Sequence, residues 1–383
     1  MPGALQGLRF VELAGLGPAP FAAMMLADHG AEVIRIHAPR PRQGIPAVDT
    51  VEDVLARGRA SVAVDLKRPE GRDLVLDLVA QADGFIEGFR PGVAERLGLG
   101  PEACLARNPR LAYGRMTGWG QTGPLAERAG HDINYIALTG ALHAIGPAEA
   151  PVVPLNLLGD FGGGGLLLAF GLLAAVLSAR ATGQGQVVDA AMVDGVSLLS
   201  AMIHGLRNAG AWTAGRAANL LDGGAYFYGT YPCADGGFVA VGAIEPQFHA
   251  LLLQGLGLDP ADFDQADRAA WPAARARLAA VFASQPRDHW AALFAGTDAC
   301  VTPVLDWDAA QAHPHMRARA GFRSLPGGPQ PVAAPRFSAT PAADPAPPTL
   351  PDAAAADLLA RWAIPPARTQ ALHKAGVLVG WPG

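Results

Sequence analysis

The sequence predicts an α/β protein: a large N-terminal unit on a mostly parallel sheet, followed by a smaller α+β unit. Two observations carry this. Strand and helix patterns alternate from residue 8 to about residue 205, with glycine or proline punctuating the junctions. Near Gly210 the composition changes to aromatic and β-branched segments of hairpin type. A chain of 383 residues is also longer than one core usually supports, so two domains are expected.

Leu8 to Leu13 reads as a short strand, and Ala14 to Pro20 as a turn rich in glycine and proline. Phe21 to His29 is a helix stopped by Gly30, and Ala31 to His37 a second strand. Strand, turn, helix, strand is a βαβ unit, which requires parallel pairing and a right-handed crossover. Gly15 and Gly17 fit a dinucleotide fingerprint only loosely. The third glycine is missing and prolines intervene, so no nicotinamide site is expected. The alternation continues with the strand Ser61 to Leu66, the helix Pro69 to Ala82, and strands at Gly84 to Glu87 and Arg110 to Met116. Gly183-Gln184-Gly185 turns the chain into the strand Gln186 to Asp189, and Met192 to Leu206 is helical. In the second unit, Tyr226 to Pro232 and Phe238 to Ile244 flank Asp235-Gly236-Gly237, a hairpin signal. Helices follow at Gln247 to Leu256, Ala273 to Ala283 and Arg287 to Ala295. Gly327 to Thr349, rich in proline and alanine, reads as an extended linker. Asp352 to Trp362 and Pro366 to Ala375 are closing helices.

Composition excludes several function classes. Half the residues are hydrophobic, 16% are charged, and the net charge is −5 with scattered Lys and Arg, which argues against a nucleic-acid partner. Cys104, Cys233 and Cys300 are odd in number and far apart, and read as buried thiols in a reducing compartment. Met1 to Gln6 lacks the pattern of a secretory signal, and Val379 to Gly383 is no peroxisomal address, so a cytoplasmic location is expected. Phe161 to Leu177 is almost continuously apolar, near the lower limit of a membrane span. Four glycines and Asp160 at its start favour a buried core helix, with no membrane partner.

Two segments carry chemistry: Gly130-His131-Asp132-Ile133-Asn134-Tyr135, and Gly159-Asp160-Phe161 running into Gly162 to Gly165. Asp160 stands where a glycine-rich turn enters a long helix, so free N–H groups and the positive helix end converge on it. Such a place suits an anion or an enolate oxygen, and the carboxylate is a base, acid or nucleophile there. The ordinary alternative is a helix N-cap, for which four following glycines are not needed. His131 titrates in the range for moving a proton, although a histidine near a strand end is more often structural. Glu245, in Gly242-Ala243-Ile244-Glu245-Pro246-Gln247, either orients an imidazole or caps the helix that begins at Pro246.

At these residues the chain resembles the α-methylacyl-CoA racemases of the class III CoA-transferase superfamily. The likeness includes Gly7-Leu8-Arg9 with Val11-Glu12, Asp65-Leu66-Lys67, Glu87 to Gly92 and Arg96-Leu97-Gly98. It continues through Met116 to Pro124, both segments above, Gly183 to Asp194, and Glu245-Pro246-Gln247. The resemblance implies a Rossmann-like large domain with a smaller domain inserted in it, forming an interlocked homodimer whose active site joins the two. The corresponding division is 1–205 for the large domain, 222–325 for the small one, and 326–383 for a linker and helices returning to the large domain.

The resemblance further implies that His131 and Asp160 are catalytic and that Glu245 assists the histidine. It assigns the CoA ester to Val64, Asp65, Leu66, Lys67, Glu87, Gly88, Arg90, Arg96, Gly130, Asp132, Ile133, Asn134 and Tyr135. Arg90, Arg96 and Lys67 suit phosphates by charge and hydrogen bond. Where relatives carry a basic residue after the second strand, this chain has Ala38, and Arg40 is expected to substitute. The implied reaction is epimerisation of a 2-methylacyl-CoA by 1,1-proton transfer through an enolate, with the amides around Asp160 holding the enolate oxygen. No cofactor beyond the CoA of the acyl-CoA substrate, and no metal, is expected; the sequence lacks a His-Glu-x-x-His motif. The alternatives are a CoA-transferase with Asp160 as nucleophile and a non-catalytic acyl-CoA binding protein.

Overall fold

A computed structural model describes residues 3–42, 46–325, 328–351 and 355–381. The ends of both termini, the first residue of the proline-rich stretch (Gly327) and the start of the expected helix at Asp352 lie outside these. In chain order the strands are β1 Arg9–Leu13, β2 Glu32–His37, β3 Ala60–Val64, β4 Gly84–Glu87, β5 Ala112–Thr117, β6 Gln186–Ala191, β7 Tyr228–Pro232, β8 Phe238–Gly242, β9 Val301–Pro303, β10 Phe322–Leu325, β11 Gly328–Pro331 and β12 Leu378–Val379.

The chain forms two compact units, 1–139 with 155–199 and 319–383, and 140–154 with 200–318. The larger is a seven-stranded sheet in the order β12-β3-β2-β1-β4-β5-β6, parallel except for β12. From β3 to β6 this is the Rossmann order, which reverses direction between β1 and β4. Ligands of such sheets bind at the carboxyl ends of the strands beside that reversal.

Period-two alternation sends successive side chains to opposite faces. On one face Val11, Leu13, Ile34, Ile36, Phe85 and Tyr113 pack with Leu74, Leu78 and Trp362. On the other, Phe10, Val33, Ile86 and Met116 pack with Ala22, Leu26, Leu168 and Leu172. The C-terminal segment thus completes the large unit: Trp362 is fully buried and its Nε1 donates to Glu32 Oε1 at 3.1 Å. Leu378 pairs with Val64.

Five local readings are corrected, the first being the expected burial of Cys300, which is exposed where Cys104 and Cys233 are buried. The helix after the second segment is buried on one face only: Phe170 is 69% and Leu177 68% exposed, with Leu138, Leu166 and Leu198 exposed in the same unit. From Leu157 to Thr182 it is long and apolar enough to cross a membrane by length and composition. The start of the proline-rich stretch is a strand, since Phe322 pairs with Pro331 and Ser324 with Pro329. Met192 to Leu206 is two helices, Met192–Leu199 and Ala201–Asn208. Finally, residues 140–154 join the smaller unit, where Arg216 donates to the carbonyls of His143 at 2.8 Å and Pro147 at 3.0 Å.

The smaller unit has the antiparallel sheet β7-β8-β9, with Tyr228 opposite Gly242. Asp235 Oδ1 accepts the Gly237 N–H at 3.0 Å, and Gly236 adopts φ +79°, which glycine tolerates without strain. Tyr226, Phe227, Tyr231, Trp271, Phe282 and Trp290 fill its core.

Candidate active site

Beside the topological reversal, the loops after β1, β4 and β5 enclose a cavity of about 380 Å³. Leu16 and Gly17 come from the first loop, Gly88, Phe89 and Arg90 from the second, and Gly118, Trp119, Arg128, Gly130 and His131 from the third. Asp160 and Tyr135 complete the wall. The two titratable side chains singled out in the sequence therefore share one cavity.

They are held in different ways. His131 begins the helix Asp132–Leu138 and is exposed. Its N–H donates to Asn134 Oδ1 at 3.0 Å, and its carbonyl accepts the Asn134 N–H at 2.8 Å. The helix start therefore fixes the backbone and leaves the ring at the cavity. This corrects the strand-end placement of His131 and gives Asn134 a capping role. Tyr135 hydroxyl donates to the Gly130 carbonyl at 2.5 Å, and its ring packs edge-on to Trp119 with 4.7 Å between centroids. A Cβ at Gly118 would meet that phenol at 2.0 Å, so the glycine is a packing requirement.

Asp160 lies inside a π-helical segment, Leu157–Gly165, continuous with the helix Leu166–Thr182, rather than at a cap. A π-turn widens the helix, and such turns are frequent at functional sites. The glycines serve close packing: a Cβ at Gly163 would lie 2.8 Å from Val196, and one at Gly165 2.5 Å from the Pro18 carbonyl. Asp160 is half-buried, and its Oδ2 accepts from Asn156 Nδ2 at 3.0 Å. Burial holds its carboxyl above the ordinary carboxylate range; the Asn156 hydrogen bond opposes this, the Asp132 charge adds to it, and His131 opposes it. The Asp160 N–H is already donated, to Asp132 Oδ2 at 2.7 Å. That amide is engaged and is not itself available to an enolate oxygen.

A second cavity, of about 330 Å³, lies at the ends of β1, β2 and β3, and Phe89 lines both. Arg40, Val64, Asp65, Leu66 and Lys67 line it. Ala38 is there too, without charge, and Arg42 is engaged by Asp49 through Nε at 3.0 Å and Nη2 at 2.9 Å. Arg40 and Lys67 are thus the exposed cations of this cavity whose heads face no acidic partner among the described residues. His37 Nδ1 lies 3.4 Å from Asp49, and burial lowers the imidazole's proton affinity against that hydrogen bond.

Other expected residues are placed differently. Glu87 is fully buried, with Arg115 Nε donating to it at 2.9 Å and the Phe89 N–H at 2.7 Å. Asp132 is buried at 6% exposure. Both side chains support the site from behind, which corrects their reading as ester contacts. Arg96 and Ile133 are exposed and line neither cavity. Glu245 belongs to the smaller unit, where it is exposed and precedes the helix Pro246–Leu256 without capping it through its side chain. Among the described residues, no three His, Cys, Asp or Glu side chains cluster as metal ligands would.

The sequence reading missed Gly17, Trp119, Arg128 and Asn156. Gly17 was legible as a turn: its φ is +64°, and a Cβ there would sit 3.0 Å from Asp160 Oδ2. Asn156 lies four residues before Asp160, one helical turn, which was the available signal.

An imidazole and a half-buried carboxyl on one cavity, with cations in the next, suit proton transfer on an anionic ester. Known proteins agree with this architecture. The chain is 49% identical over 343 residues to mouse alpha-methylacyl-CoA racemase, covering 88% of this chain and 87% of that protein. It is 47% identical over 321 residues to the human protein of that name, covering 83% and 82%. The crystal structure of a CAIB/BAIF family protein from Brucella suis superposes with a TM-score of 0.79 at 27% identity, covering 94% of this chain and 100% of that one. The family model for CoA-transferase family III matches residues 5–353, and with the Rossmann-ordered sheet and its inserted unit already described, the chain belongs to that family.

Proposed function

We propose that this chain is an isomerase that interconverts (R)- and (S)-2-methylacyl-CoA thioesters by 1,1-proton transfer at Cα. The carrying observation is the shared cavity of His131 and Asp160, one an imidazole and the other a carboxyl of raised proton affinity. High identity to the mouse and human racemases supports the reading. In one direction a base takes the α-proton, a planar enolate forms, and the second group returns a proton to the opposite face. In the reverse direction His131 and Asp160 exchange roles.

The barrier is set by acidity, since each pKa unit between the thioester and the base costs about 1.4 kcal/mol. The enolate oxygen therefore needs donors. With the Asp160 amide taken, we assign this role to the Asp132 N–H, which directly follows His131 at the start of a helix and has no carbonyl one turn behind it within that helix. Arg40 and Lys67 meet the CoA phosphates, and the pantetheine arm passes Phe89 toward the larger cavity. Glu245 assists His131, a role that Glu245→Gln tests. The reaction draws on no cofactor beyond the substrate's own CoA.

The exposed apolar face of Leu166, Phe170 and Leu177 needs cover, and we assign it to a second copy in a homodimer. Sedimentation in detergent-free buffer tests this: a dimer is expected, and a monomer, or protein soluble only with detergent, would refute it.

The activity test incubates an optically pure 2-methylacyl-CoA with the protein in deuterated water, without an acceptor acid. Deuterium at Cα with loss of optical purity is expected. CoA exchange into an added acid without α-exchange would instead establish transfer with Asp160 as nucleophile.

A further inference from the structure

We propose that Asp132 is a positioning residue that ties the two proton-transfer groups together, fixing the backbone of Asp160 relative to His131 and keeping negative charge behind the Asp160 carboxyl. This rests on the racemase reading and assigns a role to a side chain that touches no ester.

Asp132 follows His131 directly and starts the same helix, so its backbone moves with the histidine. Its side chain turns inward, and Oδ2 accepts the Asp160 N–H at 2.7 Å across 28 residues of sequence. One short side chain thereby joins the helix carrying the imidazole to the π-turn carrying the carboxyl. Gly159 is part of the device, because a Cβ there would lie 2.5 Å from Asp132 Oδ2. The other oxygen, Oδ1, is buried without a hydrogen-bond partner among the described residues. Among the described residues its charge faces no cation in an ion pair, and it acts on its surroundings at low dielectric.

The groups that feel it are few. Asp160, His131 and Tyr135 are the titratable neighbours on the cavity side. Arg90 acts on Tyr135 from the β4 loop. The helices Pro18–Asp28 and Met192–Leu199 present Pro18, Phe21, Met192 and Val196 to the π-turn, all uncharged. Asp132 is thus the anion that opposes ionisation of Asp160, in the same direction as burial does.

The experiment compares Asp132→Asn and Asp132→Ala with wild type in the intact chain. Three readouts are taken: α-deuterium exchange of a 2-methylacyl-CoA, the KM for that ester, and the Asp160 carboxyl titration followed by carbon NMR. Thermal melts establish that each variant is folded. The asparagine keeps an acceptor for the Asp160 N–H but removes the charge, so the Asp160 titration moves to lower pH while exchange persists. The alanine loses the tether, and exchange falls at least about tenfold further than in the asparagine variant, with KM within about twofold of wild type. If the alanine does not fold, the asparagine titration decides alone. An unmoved titration in Asp132→Asn, or a rise in KM without loss of exchange, overturns the proposal. The NMR titration needs no turnover. A wild type without α-exchange but with a shifted titration would therefore refute the racemase reading and leave the charge effect of Asp132 established.

Discussion

His131 and Asp160 face one cavity but are mounted in opposite ways. The histidine sits on an exposed helix start, its backbone held by Asn134 and its ring open to solvent. The carboxyl sits in a glycine-lined π-turn, half-buried, with its side chain tied to Asn156 and its amide to Asp132. A carboxyl ordinarily titrates about two units below an imidazole, which suits a one-way relay better than a reversible exchange. Burial and the Asp132 charge hold the Asp160 carboxyl above its ordinary range, the direction a reversible exchange needs. On the proposed reading, the difference in mounting is what lets two unlike groups exchange roles.

The largest break in this comparison comes from removing either group. Asp160→Asn and His131→Asn should each lower racemisation by roughly 10²- to 10⁴-fold, measured by polarimetry, with KM little changed. If one variant keeps full racemisation, the paired account fails. Next, Gly159→Ala drives a Cβ into Asp132, where the ideal contact is only 2.5 Å. Displacing the π-turn in this way should reduce turnover by about 10²-fold, measured by initial rates on folded protein. A smaller effect follows at the remote cavity: Arg40→Ala should raise KM for the CoA ester about tenfold, some 1.4 kcal/mol, and leave kcat alone. A fall in kcat alone would place Arg40 elsewhere in the cycle.

The smallest effect sharpens the comparison rather than breaking it. Asn156 stabilises the charged form of Asp160. In Asn156→Ala that stabilisation is lost, so the Asp160 carboxyl holds its proton to higher pH. The pH–rate limb that requires ionised Asp160 then shifts upward, whereas the limb that requires it protonated extends further. A downward shift would reverse the assigned sign.

Much of the fold was legible because its signals are local. Val11, Leu13, Ile34 and Ile36 alternate with the other face, and Pro69 opens a helix where proline is tolerated. Both catalytic candidates were legible from the small residues around them, which permit close approach. What escaped the reading depends on contacts distant in sequence. β12 is two residues long and exists because Leu378 finds Val64. The Asp132 tether spans 28 positions, so the resemblance, carried over position by position, presented Asp132 as a ligand contact. Glu87 looked similarly available until Arg115 and the Phe89 amide closed around it. The helix Leu166–Thr182 misled in another way, since an apolar composition announces burial without saying which molecule supplies the cover.

The most direct test follows the isotope in each enantiomer separately during the first turnovers in deuterated water. Two groups on opposite faces predict that the newly formed enantiomer carries deuterium at Cα while the remaining substrate still carries its original hydrogen. Product that retains the original hydrogen would mean a single base shuttling one proton, and would contradict the pairing of His131 with Asp160.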